Sequence, residues 1–164
     1  MGKIEVFYAF TDGSCKPNPG SGGWCWVFYF PHKNTVIRFI DTGGKKKTTN
    51  NEMELTAMLE CLQFLQKKDK PYKVIVYSDS EYVLKGLVSG GNGIVGIVPN
   101  GWCHNWKKNG WKNRPNLLLW QKIYQECQRC YKDGIKLELR WVEGHSGDEG
   151  NDLADNLAKR AVPK

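Results

Sequence analysis

Hydrophobic and polar positions along the chain switch between a period of two and a period of 3.6. Aromatic and β-branched residues cluster from Ile4 to Thr11, from Gly22 to Phe30 and from Thr35 to Thr42, with Pro, Gly and Asn turns between them, which predicts three strands in a meander. Leu55, Met58, Leu59, Leu62 and Leu65 then recur at helical spacing until Lys67-Lys68-Asp69-Lys70-Pro71 ends the pattern. Val74-Ile75-Val76-Tyr77 is a continuous apolar run, as expected of a strand buried on both faces, and it stops at Ser78-Asp79-Ser80 before a helix expected over Glu81 to Val88. A further helix is predicted from Leu117 to Tyr131, with Trp120, Ile123, Tyr124 and Cys127 inward, then an alternating strand from Ile135 to Trp141. The last helix, Asn151 to Ala161, carries Leu153, Ala154, Leu157 and Ala158 on one side. Residues 89–100 are Gly-rich and weakly patterned, which predicts a loop. Strands followed by alternating helices and strands imply an α/β chain with a mixed five-stranded sheet flanked by helices, and 164 residues suit a single domain spanning 1–164.

Composition adds a partner class. Lys and Arg outnumber Asp and Glu by 24 to 17, for a formal charge of +7, and the excess gathers in Lys45-Lys46-Lys47 and Lys107-Lys108. Such patches suit a polyanion, although a basic solvated surface explains charge equally well without motifs. Met1 to Val6 runs directly into strand-like sequence without the apolar core of a secretory signal, and nothing approaches a membrane span. The six Cys are therefore expected as thiols in a reducing, intracellular compartment, cytoplasm or nucleus. Cys127 and Cys130 form a CxxC on a predicted helix, but no second pair stands at zinc-site spacing.

The carboxylates narrow the chemistry. Asp12 and Asp79 each stand where a predicted strand ends, and ligands favour the carboxyl ends of strands in open α/β sheets. If those strands are parallel neighbours, two anionic side chains meet at one edge, which is unfavourable without cations between them; oxygen donors favour Mg²⁺ or Mn²⁺ over zinc. Taken singly, an Asp beside Gly or Ser is as well explained by a turn or a helix cap, and Glu54 by an ordinary first-turn acid.

The joint pattern is more specific. Thr11-Asp12-Gly13-Ser14 with Asn18-Pro19-Gly20, then Thr48-Thr49-Asn50-Asn51-Glu52-Met53-Glu54, then Ser78-Asp79-Ser80 resemble ribonuclease H of the cellular type 1 class in order and spacing. Trp106-Lys107-Lys108-Asn109-Gly110-Trp111-Lys112 and Gly144-His145-Ser146-Gly147, followed by Asn151 and Asp155, extend the resemblance over nearly the whole chain. It implies the ribonuclease H-like fold and endonucleolytic hydrolysis of the RNA strand of RNA–DNA hybrids, leaving 5′-phosphate and 3′-hydroxyl ends. It also implies that Asp12, Glu54, Asp79 and Asp155 hold two Mg²⁺ ions, for which Mn²⁺ substitutes, and that His145 assists proton transfer or product departure. Asp155-Asn156-Leu157-Ala158 fits the family register of the last acid, while Asp152 is expected to face solvent in the first helical turn.

By the same resemblance, Asn18, Asn50 and Asn51, with the backbone near Cys15, contact RNA 2′-hydroxyls, the groups that distinguish RNA from DNA. Tyr82, Trp102 and Trp106 match residues along the DNA strand, and Thr49 and Asn116 match a pocket for a DNA phosphate to which Lys47 adds charge. Trp106 and Trp111 also suit a structural role beneath the basic segment. The chain departs from the family in a long Gly-rich stretch from Leu84 to Trp102, in the short Asn113-Arg114-Pro115-Asn116, and in Leu118, which stands where an acid is common. A monomer without a separate hybrid-binding domain is expected. The alternatives are an inactive hybrid-binding module or another nuclease on the same fold, such as a resolvase or transposase-like domain.

Overall fold

β1 (Glu5–Cys15), β2 (Gly20–His32) and β3 (Thr35–Thr48) form the predicted antiparallel meander in the computed structural model, which describes residues 2–144 and 147–164. β1 and β3 run beyond their apolar stretches because backbone pairing continues, Cys15 opposite Gly22 and Lys45 opposite Gly22 on the other side, and a ladder needs no apolar side chains. α1 (Asn50–Phe64) leads to β4 (Tyr72–Ser78), which lies parallel to β1. α2 (Glu81–Leu87), β5 (Gly93–Val95), α3 (Trp102–Lys108) and α4 (Leu117–Lys132) precede β6 (Ile135–Trp141), which is parallel to β4. α5 (Glu149–Arg160) closes the chain.

Among the described residues the sheet has six strands, in the order β3-β2-β1-β4-β6-β5, rather than the five expected. The additional strand is β5, inside the Gly-rich stretch expected as a loop, and it pairs antiparallel with β6 through Gly93, Ile94 and Val95. Three residues, one of them Gly, are too few for alternation to register in the sequence. α3 escaped the periodicity for a different reason: Cys103 alone of its seven residues is buried, so the helix carries no apolar repeat.

The period of two in β1 divides the interior. Phe7 and Ala9 enter the main core with Leu55, Met58 and Leu62 of α1 and Trp120 and Ile123 of α4. Phe10 points to the other face, where Val27, Ala154 and Ala158 build a smaller core beneath α5. All six cysteines are buried free thiols, with burial pushing Cys130 up to about 11, so the CxxC is core material. No described helix is long and apolar enough to cross a membrane.

One close contact in this core makes a stability prediction. A Cβ on Gly86 of α2 would lie 2.0 Å from the Trp120 ring, and Trp120 is fully buried. Helix propensity favours Ala by roughly 1 kcal/mol, but an overpacked rigid ring outweighs this. Gly86→Ala should therefore destabilise the fold by about 3 kcal/mol in urea unfolding. A variant as stable as the wild type would show that α2 shifts freely over Trp120.

Candidate metal centre and nucleic-acid cleft

The register of two parallel strands assembles the acidic centre. Thr11 of β1 stands opposite Ser78 of β4, so the next residues, Asp12 and Asp79, emerge side by side at the carboxyl edge. Glu54 comes from α1, whose start is fixed by the Thr49 hydroxyl accepting the Glu52 N–H at 3.1 Å. Gly13 then allows α1 to touch β1, because a Cβ there would sit 2.4 Å from the Glu54 nitrogen. As a result, one oxygen from each of Asp12, Glu54 and Asp79 lies within 4.8 Å of the others.

Burial makes this crowding costly. The Asp12 carboxyl is pushed up to about 8, first by burial; hydrogen bonding with Glu54 opposes this, and the charges of Asp79 and Asp155 add to it. Glu54 is raised well above the usual carboxylate range, again by burial first and then by Asp12. Among the described residues, Asp12 Oδ2 and Glu54 Oε2 are buried without a hydrogen-bond partner. Buried, unpartnered oxygens on converging acids fit a hard divalent cation, which would neutralise the charge and complete the polar contacts.

The fourth predicted acid, Asp155, is placed against Asp12 by α5. Its Oδ2 also pairs with Lys159 Nζ at 2.8 Å. Asp152 occupies the first turn of α5, half-buried rather than solvent-facing. His145 lies outside the described residues.

Three of the four predicted RNA contacts, Cys15, Asn18 and Asn50, form one hydrogen-bonded group. The Cys15 N–H donates to Asn50 Oδ1 at 2.7 Å, and the Asn50 N–H donates to Asn18 Oδ1 at 3.1 Å. Asn18, Asn50 and Asn51 line a cleft of about 640 Å³ together with Thr49, Tyr82, Trp106 and Asn116. The Tyr82 hydroxyl accepts from Asn116 Nδ2 at 3.3 Å and from Trp120 Nε1 at 3.0 Å, tying this wall to the core. Trp106 both lines the cleft and packs against Trp120, so it supports the core from the cleft wall. Trp111 packs edge-on against Tyr124. Trp102 stands beside the cleft against Tyr82 and Trp106, and Lys47 is exposed near the end of β3.

A family model described as RNase H matches residues 5–163. The chain belongs to the RNase H family. The ribonuclease H of Dechloromonas aromatica (strain RCB) is 40% identical over 164 residues, covering 96% of this chain and 94% of that one. The ribonuclease H of Chromobacterium violaceum is 39% identical, with coverage of 98% and 95%. Among solved structures, LC9-RNase H1, a type 1 RNase H with the type 2 active-site motif, has a TM-score of 0.78 at 25% identity, over 99% of this chain and 74% of that one. LC11-RNase H1, solved in complex with an RNA/DNA hybrid, shares the fold with a TM-score of 0.62 at 22% identity, over 95% of this chain and 96% of that one.

The chain is thus a ribonuclease H enzyme, and the family implies divalent-metal dependence, with which the acidic group is consistent. Two residues at the acidic group and the cleft were not singled out from sequence. Lys159 was detectable as a cation four residues after Asp155 on a helix. Arg114, which also lines the cleft, had no such signal, because its contact with Trp106 spans two separate segments.

Proposed function

We propose that this RNase H hydrolyses the RNA strand of RNA–DNA hybrids at the cluster of Asp12, Glu54, Asp79 and Asp155. The observation that carries the reading is a single helix start serving both needs. Asn50 of the amide-lined cleft and Glu54 of the acidic group sit one turn apart on α1. The hybrid held by LC11-RNase H1, a protein of the same fold, supports the substrate class.

The four carboxylates would hold two Mg²⁺ ions, with Mn²⁺ able to substitute. When bound, the pair supplies a more acidic attacking water and charge stabilisation for the departing ribose 3′-oxygen. Water adds to phosphorus, the P–O3′ bond breaks, and the products are a 5′-phosphate and a 3′-hydroxyl. Asn18, Asn50, Asn51 and the Cys15 backbone would hold RNA 2′-hydroxyls, so that a deoxyribose strand in that position loses contacts. Thr49 and Asn116, with Lys47 nearby, would hold a DNA phosphate, while Tyr82, Trp102 and Trp106 flank the DNA strand. His145, in the motif Gly144-His145-Ser146-Gly147, would assist proton transfer or product departure.

Digestion of matched RNA–DNA hybrid, duplex DNA and duplex RNA in Mg²⁺ tests this directly. The RNA strand of the hybrid should be cut and the two homoduplexes left intact. Equal cleavage of all three would indicate another nuclease on this fold, and binding of the hybrid without any cleavage would indicate an inactive binding module.

A further inference from the structure

Among the described residues Arg114 is the one cation lining the cleft, whose other walls are amides, hydroxyls, prolines and aromatic rings. It lies half-buried in the short link between α3 and α4, two residues before Asn116. Its guanidinium carbon stands 4.2 Å from the centre of the Trp106 ring, and its Nε donates to the Lys112 carbonyl at 3.2 Å. Those two contacts fix the plane of the group. Among the described residues no carboxylate lies within ion-pair distance of it, whereas Arg129 pairs with Glu126 and Asp133, and Arg140 pairs with Glu138.

A guanidinium stacked through its face keeps the N–H groups of its edge available, and here the Nη donors remain once Nε is engaged. Holding a half-buried cation in a neutral cleft without a counter-charge is unfavourable, and an anion resting on the edge would offset that cost. A phosphodiester matches the edge geometry, since two parallel N–H groups can meet two oxygens. Thr49 and Asn116, the expected phosphate-pocket residues, line the same cleft.

We propose that Arg114 is a clamp for a phosphate of the DNA strand, oriented in advance by Trp106, and that it sets the position of the hybrid relative to the acidic centre. The proposal rests on the hybrid-cleaving reading above. It assigns to the α3–α4 link a specific charge contact, where the Asn113 to Asn116 stretch is short.

The test compares wild type, Arg114→Gln and Arg114→Lys on an RNA–DNA hybrid between 50 and 200 mM salt. Arg114→Gln should lower kcat/KM about tenfold, with the loss falling on KM, and should reduce the slope of log affinity against log salt by about one. Arg114→Lys keeps the charge but not the fork, and should restore the slope while recovering only part of the affinity. A series of hybrids, each with one methylphosphonate in the DNA strand, then locates the contact. Wild type should be impaired at a position where Arg114→Gln is not further impaired. A folded Arg114→Gln with the wild-type salt slope and methylphosphonate profile would overturn the clamp and leave Arg114 as a support for Trp106. Wild type that leaves every hybrid uncut would remove the underlying reading, and the clamp with it.

Discussion

Asp79→Asn should reduce cleavage of an RNA–DNA hybrid by at least ~10³-fold, about 4 kcal/mol of barrier, while hybrid binding stays close to that of wild type. Asp79 is half-buried, and one of its carboxylate oxygens lies within 4.8 Å of oxygens from Asp12 and Glu54. Asn preserves the shape but removes one of the negative charges available to hold divalent cations. Asn keeps the hydrogen bond from the Trp141 indole N–H to the residue 79 backbone carbonyl, 3.2 Å long. The charge of Asp79 also helps to raise the Asp12 carboxyl, so its removal relieves a repulsion. Single-turnover cleavage in Mg²⁺ and equilibrium binding by fluorescence anisotropy in EDTA separate chemistry from affinity. Cleavage within tenfold of wild type would remove Asp79 from the metal-holding group.

The acidic centre was legible in parts, and the reasons differ from residue to residue. Asp12 and Asp79 could be placed at strand ends because the apolar runs before them are plain in the sequence, Val74 to Tyr77 above all. Their adjacency required β1 and β4 to be parallel neighbours, a long-range pairing that local periodicity does not encode. Glu54 reads locally as a first-turn acid; what brings it to Asp12 is the missing Cβ of Gly13, a contact between distant segments. The choice of Asp155 came from family register, and α5 places that residue against Asp12. The fold was legible wherever an element carried an apolar period, and seven residues sufficed for that in β6 and α2. β6 matches its expected bounds, while β5 and α3 did not register. Arg114 stacked on Trp106 was hidden because neither residue's local pattern depends on the other.

The second large effect concerns stability without metal. In an unfolded chain an Asp carboxyl loses its proton near pH 4, whereas the buried Asp12 does so at about 8, with Glu54 also raised. Between those values the folded chain retains protons that the unfolded chain has released. Metal-free stability from these groups must therefore be greatest at the acid end and fall as pH rises through about 8. For Asp12 alone the full window corresponds to on the order of 5 kcal/mol, shared in practice across the coupled acids. Mg²⁺ binds the ionised acids, so its stabilisation should run in the opposite direction and grow with pH. Urea unfolding in EDTA at pH 5.5 and 8.5 should show wild type losing several kcal/mol between the two, with Asp12→Asn losing much less. Added Mg²⁺ should restore wild type at pH 8.5 far more than at pH 5.5, and should do little for Asp12→Asn at either. A wild-type profile that stays level or rises between these pH values would mean the acids are already ionised without a cation, contrary to their burial and to the two oxygens left without hydrogen-bond partners among the described residues. Because Asp12→Asn removes the titrating group while keeping its shape, the difference between the two proteins isolates this centre from every other group that titrates in the same range.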